Sequence, residues 1–490
     1  MTRVLKNYIN GSWCESRNSK LRDVINPATG QILASVPAGS GEDINDAAES
    51  AHKAWSGWRN TPATQRVQYL FRMKQIIEAH LDEIAEICTG ECGKTFAESK
   101  AEIVRAIENI EVACGIPKLL QSDFSEDIAT GIDEFYIRQP VGVGASISPF
   151  NFPVMIPFWF MPYAIACGNT YIVKPSGKVP QSMTRIFELF EDLNLPDGVL
   201  NMVHGGKETV DAILENPYIR AVSFVGSTSV AKYIYENGTT NGKRVQALGG
   251  AKNPVVIMPD ADVDTTVKII ADSAYGCAGQ RCLAAAIILT VGKAGDIFTK
   301  KLIQISKERK VGNGMDKGVE IGPVITRESK EKIESLIQKG VDDGGKLLLD
   351  GRNIKVPGGE NGNFIGPVIL SNVDMNSEIY NTEIFGPVII INNVGSLEEA
   401  IRTANHGRYG NAASIFTSSG AAARKFRHEV LAGNIGVNIG IAAPMAFFPF
   451  SGWKDSFFGD LHGQSFHAVE FYTQTKVVIE RWHDEWTRKF

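Results

Sequence analysis

The chain lacks the cysteine spacing of a disulfide-bonded or zinc-binding protein. Its 490 residues hold only 7 cysteines, and none of them forms a Cys-x-x-Cys pair; they stand at positions 14, 88, 92, 114, 167, 277 and 282. An odd, scattered set argues against a disulfide framework and against a zinc ribbon. A reducing compartment fits such a set. We therefore expect free thiols and no metal site.

Strong charge of one sign and long uninterrupted apolar runs are also missing. The net charge of -5 and the pI of about 6.0 offer no electrostatic attraction for nucleic acid or an anionic membrane. The most apolar stretch, 150–173, contains Pro153, Pro157 and Pro162, which argues against a membrane span. Residues 1–13 have neither an apolar core nor an Arg/Ser-rich leader. We expect a cytoplasmic protein without nucleic-acid or membrane partners.

What the chain does have is a regular alternation of short apolar runs and amphipathic stretches. Strands are predicted at 143–147, 170–173, 199–203 and 221–225, and helices at 153–167, 182–193, 208–215 and 229–236. Such alternation is typical of a parallel sheet with right-handed crossovers. That doubly wound architecture binds nucleotides at the carboxyl ends of its strands.

A second series of the same kind follows Lys252. It comprises predicted strands at 254–258, 286–291 and 386–391 and helices at 298–309, 328–339 and 397–405. The length and the two series predict an α/β protein with two doubly wound domains and a boundary near Gly249 and Gly250. Amphipathic helices are expected at 42–55 and 62–88. Strands at 135–138 and 471–479 belong to neither series, and we interpret them as a small sheet between subunits.

The nucleotide site has no complete glycine fingerprint. Gly142 and Gly144 are not followed by a third glycine that opens a helix. The run 224–228 is a better candidate, because a strand ends at Gly226 and a hydroxyl pair beginning at Ser227 opens a helix that could hold a diphosphate. An ordinary capped helix explains the same residues. Lys174, at the end of a strand, is either a ligand contact or a solvated lysine.

Two further residues carry possible chemistry. Asn151 lies between Phe150 and Phe152, and a buried amide needs a partner, which could be an oxyanion or a turn. Cys282 precedes an apolar strand, and a free cysteine is usually a core residue. Arg281 beside it favours a thiolate. Local sequence leaves both alternatives open.

The motifs together resemble the aldehyde dehydrogenase superfamily, in order and spacing, over essentially the whole chain. They are Ser-Pro-Phe-Asn-Phe-Pro at 148–153, Lys-Pro-Ser at 174–176, Phe-Val-Gly-Ser-Thr at 224–228, Gly-Gln-Arg-Cys at 279–282 and Glu-Ile-Phe-Gly-Pro-Val at 383–388. The chain is most similar to the CoA-acylating branch that acts on methylmalonate and malonate semialdehyde. The runs that carry this closer similarity are 105–109, 242–247, 250–253, 258–262, 278–282 and 450–460.

The resemblance implies a fold and a set of site residues. It implies a cofactor domain (1–120 and 142–250), a catalytic domain (251–455) and oligomerisation segments (121–141 and 468–490) of a homodimer or homotetramer. Cys282 would be the nucleophile and Asn151 an oxyanion donor. Arg105 and Arg281 would hold a substrate carboxylate. NAD would be bound by Ser148, Phe150, Lys174, Gly177, Lys178, Gly226, Ser227, Gly249 and Glu383.

Two departures from the superfamily pattern matter for chemistry. Hydrolytic relatives carry a glutamate before Leu-Gly-Gly, where this chain has Ala247. Without that base a thioester on Cys282 is expected to pass to coenzyme A, giving propionyl-CoA or acetyl-CoA. Gly177 stands where an acidic residue is usual and Lys178 follows it, so tolerance of NADP is expected beside NAD. A hydrolytic enzyme with another base, and a non-catalytic relative, are the alternatives.

Overall fold

The computed structural model describes residues 2–482, and its first domain is built on an eight-stranded sheet. In spatial order the strands are Ser12–Cys14, Asn7–Ile9, Leu200–Met202, Thr170–Lys174, Val143–Ile147, Ile219–Val225, Arg244–Leu248 and Phe457–Phe458. The five strands from Leu200–Met202 to Arg244–Leu248 are parallel. Their side chains are almost all buried because helices cover both faces.

The order of these parallel strands creates one crevice. Val143–Ile147 comes first in the chain and lies in the middle, next to Ile219–Val225 on one side and Thr170–Lys174 on the other. Loops leave the carboxyl ends of the central strands in opposite directions at such a reversal, and ligands bind between them. The residues that follow these ends begin with Ser148 and Gly226.

In this half of the chain, two predicted helices are divided in the structure, one of them at a proline. The helices of this half are Gly41–Asn60, Ala63–Ala79, Leu81–Cys92, Phe96–Cys114, Ile116–Leu119, Met155–Phe158, Met161–Ala166, Gln181–Phe190, Lys207–Glu215 and Thr228–Thr240. The single helix predicted over 153–167 is wrong: Pro162 lacks an N–H group and starts a new helix instead. The helix predicted over 62–88 is also divided, at His80.

The second domain repeats the architecture on a seven-stranded sheet. Its strands, in spatial order, are Lys346–Leu349, Val368–Ser371, Val388–Val394, Ala285–Val291, Asn253–Ile257, Ala412–Phe416 and Asn434–Val437. Only the first of them is antiparallel to its neighbour. The helices are Val263–Tyr275, Ala294–Glu308, Arg327–Asp342, Glu378–Asn381, Leu397–His406 and Gly420–Glu429.

The remaining elements include the two strands that fit neither series. Ile132–Pro140 and Thr473–Glu480 pair with each other in antiparallel register, with Phe124–Ala129 as the third strand. The later strand follows the helix Ser465–Phe471 and begins two residues after the predicted position. Residues 483–490 of the predicted segment 468–490 lie outside the described residues. Two small antiparallel pairs complete the list: Leu21–Ile25 with Ile32–Pro37, and Tyr409–Gly410 with Trp453–Lys454.

The predicted fold class is confirmed. Two domains with mainly parallel sheets and a small antiparallel sheet form one α/β chain. The last parallel strand of the first sheet ends at Leu248, and the second sheet begins at Asn253. Within residues 2–482, no helix is long and apolar enough to cross a membrane.

Candidate active site

Cys282 is held by a tightly wound loop in front of the strand Ala285–Val291. Cys277, Ala278 and Gly279 all have positive φ angles, of 51°, 53° and 71°. A Cβ atom on Gly279 would lie 2.1 Å from the backbone oxygen of Gly386, so no other residue fits there. The backbone oxygen of Cys282 accepts hydrogen bonds of 2.9 Å from the side-chain amides of Asn253 and Asn411. The loop therefore presents the thiol from a fixed backbone.

Asn151 reaches this loop from the other domain. It follows the strand Val143–Ile147, is buried, and donates a hydrogen bond of 2.9 Å from Nδ2 to the backbone oxygen of Gln280. The Gln280 side chain is fixed in turn, because its Oε1 accepts a 3.0 Å bond from the N–H group of Ile325. The side-chain amide of Asn151 keeps a second N–H group, which can donate to another acceptor. Asn151 thus meets the nucleophile loop two residues before Cys282.

Two cavities meet at Cys282. The first, of about 420 Å³, opens at the crevice of the eight-stranded sheet and is lined by residues that include Ser148, Phe150, Asn151, Lys178, Gly226, Ser227, Gly249, Cys282 and Glu383. The second, of about 360 Å³, lies on the other side of the thiol and is lined by Glu98, Arg105, Phe152, Met155, Trp159, Arg281, Cys282, Ile441, Phe450 and others. Cys282 is the only described residue in both linings.

The first cavity fits a dinucleotide. Ser227 precedes the helix Thr228–Thr240 without capping it by its own side chain, so the N–H groups of the first turn face the cavity mouth. A Cβ atom on Gly226 would lie 2.4 Å from the Phe224 ring, so a larger residue does not fit at this position. Without a side chain, the Gly226 backbone is open to a ligand. The buried hydroxyl of Ser148 has no hydrogen-bond partner among the described residues, as expected of a group that awaits a ligand.

Glu383 stands at the wall of this cavity. Its Oε1 accepts a 2.9 Å bond from the N–H group of Ala251, and a Cβ atom on Gly250 would lie 2.4 Å from Oε2. Burial raises the pKa of Glu383 to about 7, although the Ala251 N–H group and Lys252 oppose this. The carboxyl group therefore titrates near neutral pH in the free protein.

The Cys282 thiol is protonated at neutral pH. Burial, and next the charge of Glu383, raise its pKa to about 12 against the smaller lowering effects of the backbone and Arg281. Arg281 acts in the direction that the sequence predicts, but burial outweighs it. The reason is geometric: its guanidinium is directed at Cys277 and Glu98.

Of the three predicted cofactor residues Lys174, Gly177 and Lys178, only Lys178 lines the first cavity. Lys174 is buried and donates to the backbone oxygen of Pro175 at 3.0 Å; burial, and secondarily Arg22, lower its pKa to about 8. It does not line the cavity, whereas Lys178 does. The Lys178 ammonium lies 5.2 Å from the centroid of the Phe150 ring. A Cβ atom on Gly177 would have no neighbour within 4 Å, so the position is open.

Both predicted substrate arginines line the second cavity, and both already have carboxylate partners. Arg281 Nη2 lies 2.9 Å from Glu98 Oε1, and Arg105 Nη1 lies 2.7 Å from Glu108 Oε2. Arg105 also donates to the backbone oxygen of Pro444. Glu98 was not among the site residues predicted from the sequence. Its capping-box position after Thr95 was visible, but only the fold brings it to Arg281.

Ala247 lies where the hydrolytic base of relatives is expected. It is fully buried in the strand Arg244–Leu248 and pairs with Phe224 and Phe458 on its two sides. Among the described residues, the carboxylates that line the two cavities are Glu383, Glu98 and Glu102. Glu98 is paired with Arg281, and Glu102 is paired with Lys94.

Comparison with known proteins agrees with this geometry. The aldehyde dehydrogenase family model matches residues 13–478. Malonate-semialdehyde dehydrogenase 2 of Geobacillus kaustophilus is 46% identical over 480 residues, which cover 98% of this chain and 99% of the relative. Malonate-semialdehyde dehydrogenase of Halalkalibacterium halodurans is 46% identical over 478 residues, 98% of each chain.

Solved structures with the same fold include methylmalonate-semialdehyde dehydrogenase from Oceanimonas doudoroffii, with a TM-score of 0.97, 43% identity and 99% of each chain covered. A methylmalonate-semialdehyde dehydrogenase candidate from Sinorhizobium meliloti 1021, solved in complex with NAD, has a TM-score of 0.97 and 41% identity over 99% of each chain. The sequence motifs, the double cavity around Cys282 and these similarities lead to one conclusion: the chain belongs to the aldehyde dehydrogenase family.

Proposed function

We propose that the protein is an NAD-dependent, CoA-acylating dehydrogenase of malonate or methylmalonate semialdehyde. The observation that carries the proposal is the position of Cys282 between the cavity at the sheet crevice and a second cavity lined by two arginines. The semialdehyde dehydrogenases that match over nearly the full chain support the same substrates.

Cys282 begins the reaction as the nucleophile. Its sulfur, once deprotonated, adds to the aldehyde carbon, and the carbonyl oxygen becomes an oxyanion. The free N–H of the Asn151 amide and the backbone N–H of Cys282 stabilise this charge; one such donor typically contributes about 3 kcal/mol. NAD, which residues of the first cavity would hold, would supply the hydride acceptor. Loss of hydride from the carbon bound to sulfur re-forms the carbonyl group and leaves a thioester on Cys282.

Several residues would hold the cofactor. The open helix end at Ser227 and the bare backbone at Gly226 suit the diphosphate. Glu383 would accept hydrogen bonds from the ribose next to the nicotinamide. Ser148, Phe150, Lys174, Gly177, Lys178 and Gly249 would bound the rest of the nucleotide.

The acyl group then leaves with coenzyme A. The CoA thiolate attacks the thioester carbon and the Cys282 thiolate departs, so the exchange needs no external base comparable to that for water. The substrate carboxylate leaves as CO2 and the α-carbon takes up a proton, so the product is acetyl-CoA from malonate semialdehyde and propionyl-CoA from methylmalonate semialdehyde. The buried Ala247 cannot activate water, and general-base help is worth about 10² to 10⁴ in rate.

A hydrolytic dehydrogenase is the second candidate, and one observation favours it. Glu383, whose pKa is raised to about 7 by burial, is close enough to Cys282 to raise the pKa of its thiol. Such a carboxylate could activate water. We place it second because the same carboxylate is committed to the cofactor ribose in the proposed arrangement.

Tolerance of NADP is part of the proposal. No carboxylate stands at Gly177, and the cations Lys174 and Lys178 lie close by. Arg22 adds a third positive charge, which acts on Lys174. These positive charges would attract the 2′-phosphate of NADP rather than repel it.

We further propose a homodimer or homotetramer assembled through segments 121–141 and 468–490. The strand Thr473–Glu480 is one edge of the three-stranded sheet, and the apolar side chains of Val477 and Ile479 on it are exposed. Phe124, on the opposite edge strand, is exposed as well. Sedimentation analysis of a Val477→Asp/Ile479→Asp variant should show a smaller species than the parent.

We also propose the domain bounds and the location. Residues 1–120 with 142–250 would form the cofactor domain and 251–455 the catalytic domain. The proposed location is the cytoplasm.

Product analysis tests the proposed function. Purified protein, malonate semialdehyde and NAD with CoA should give acetyl-CoA and NADH in equal amounts, identified by mass spectrometry and absorbance. Turnover at the same rate without CoA, with a free acid as product, would establish the hydrolytic candidate instead.

A further inference from the structure

A buried ion pair lies directly behind the loop that carries Asn151. Lys94, just after the helix Leu81–Cys92, contacts Oε2 of Glu102 in the helix Phe96–Cys114 through its ammonium group. The side chains of Lys94 and Glu102 are only 1% and 0% exposed. An ion pair so deep in a protein is seldom more stabilising than apolar residues of the same size. Its presence therefore calls for an explanation other than fold stability.

Both members of the pair bind the backbone of the Asn151 loop. Lys94 Nζ donates a 2.9 Å hydrogen bond to the backbone oxygen of Asn151 itself. Glu102 Oε1 accepts bonds of 2.7 and 2.9 Å from the N–H groups of Val154 and Met155. The ammonium also lies 4.6 Å from the centroid of the Phe152 ring. Two fixed charges thus bind the loop at the asparagine itself and again at the third and fourth residues after it.

The side chain of Asn151 is bound on the opposite side of the residue. Its Nδ2 donates to Gln280 in the nucleophile loop, while its backbone oxygen accepts from Lys94. A displacement of about 1 Å in a group that must meet a reacting atom can cost about 100-fold in rate. The Lys94 bond fixes the backbone from which the Asn151 amide extends.

We propose that the Lys94–Glu102 pair is a positioning element of the reaction, which holds the Asn151 amide where the oxyanion forms. The inference rests on the oxyanion role proposed for Asn151. Neither charged residue touches the reacting atoms in this account; both act through the asparagine.

The test removes both charges together. A single change would leave an uncompensated charge in the core and could prevent folding. The variant Lys94→Met/Glu102→Gln keeps side-chain volume, and the new amide oxygen can still accept from Val154 and Met155. This double variant lacks the hydrogen bond from Lys94 to Asn151. The matched control is Lys100→Met, a change on the exposed side of the helix that contains Glu102; Lys100 is paired with Asp82.

Three measurements separate positioning from general support. The first is kcat/KM for the aldehyde, which should fall at least about ten-fold in the neutral double variant and stay unchanged in Lys100→Met. The second is the alkylation rate of Cys282 by iodoacetamide, followed by mass spectrometry of its peptide. Alkylation forms no oxyanion, so this rate should stay within about two-fold of the parent. The third repeats the kcat/KM comparison in an Asn151→Ala background, where the loss should nearly vanish.

Each other result overturns the proposal. An equal loss in turnover and alkylation would mean that the pair supports the thiol or the whole fold. A full additional loss in the Asn151→Ala background would mean that the pair acts elsewhere. Unchanged turnover in the double variant, beside a low activity of Asn151→Ala, would reject the positioning role and leave the proposed function standing. Full activity of Asn151→Ala would reject the oxyanion role and the positioning role together.

Discussion

The Nδ2 atom of Asn151 lies 2.9 Å from the backbone oxygen of Gln280. This bond connects the loop after the strand Val143–Ile147 to the loop that presents Cys282. The two loops belong to different domains, so the site exists only where the two halves of the chain meet. A donor and a nucleophile that are far apart in sequence are thereby fixed relative to each other.

Replacing Asn151 by alanine should lower kcat for the aldehyde by about 10² to 10³, the usual cost of one lost oxyanion donor. The rate of Cys282 alkylation should not fall, since the thiol itself is untouched. Stopped-flow and steady-state assays of NADH formation measure the first effect. Asn353→Ala, at an exposed loop position, is the control. A kcat of Asn151→Ala within about two-fold of the parent would exclude the donor role.

The free enzyme should show a slow, strongly pH-dependent thiol. Because burial and Glu383 raise the pKa of Cys282 to about 12, the iodoacetamide rate should rise about ten-fold per pH unit from about pH 7 to about pH 10 without a plateau. Glu383→Gln removes the second of these causes and should increase the rate above about pH 7, where the Glu383 carboxyl group is ionised. Glu215→Gln, at the exposed end of the helix Lys207–Glu215, should not. A plateau near pH 8 in the parent would show that the thiol is already activated.

Cofactor choice should depend on residue 177. In the parent, kcat/KM for NADP should be at least about one hundredth of that for NAD, a transition-state difference of at most about 2.7 kcal/mol. Gly177→Glu fits without a clash, because a Cβ atom there has no neighbour within 4 Å. It should reduce the NADP/NAD ratio about ten-fold or more through like-charge repulsion. Gly177→Gln, of equal length and no charge, should leave the ratio close to that of the parent; an equal fall in both variants would contradict the electrostatic explanation.

Glu98 should weaken the attraction of the substrate cavity for carboxylates. It is fixed by the N–H groups of Thr95 and Cys277 and pairs with Arg281. Glu98→Gln keeps the size and removes the negative charge. The KM for malonate semialdehyde should fall about five-fold, or ~1 kcal/mol for a partly exposed pair. The KM for propanal, which has no carboxylate, should be unchanged. An increase for the acidic aldehyde alone would show that Glu98 mainly orients Arg281.

The sequence was most informative where chemistry or periodicity is local. Short apolar runs predicted the strands Val143–Ile147 and Thr170–Lys174 closely because parallel strands buried on both faces have that composition. The single helix predicted over 153–167 is two helices in the structure, because prolines within this apolar stretch interrupt it. The residues predicted around the thiol, Asn151 and Glu383, do lie in the wall of the first cavity with it.

Long-range contacts between charged groups could not be predicted from the sequence. Lys94 and Asn151 are 57 positions apart, and Glu98 and Arg281 are 183 apart. Nothing in the local pattern distinguishes Lys94 or Glu98 from a solvated charge. The partners of Arg105 and Arg281 were missed for the same reason, although both arginines line one cavity together with Cys282. The fold decides which charges meet.

Cys282 is expected to form a thioester that coenzyme A, rather than water, removes. A pre-steady-state experiment with NAD and malonate semialdehyde follows the fate of this thioester. Without CoA, we expect a burst of about one NADH per Cys282 and then almost no turnover; addition of CoA should restart turnover at a rate at least about 100-fold higher. The Cys282→Ala variant should give no burst. Steady NADH formation at the full rate without CoA would contradict the account.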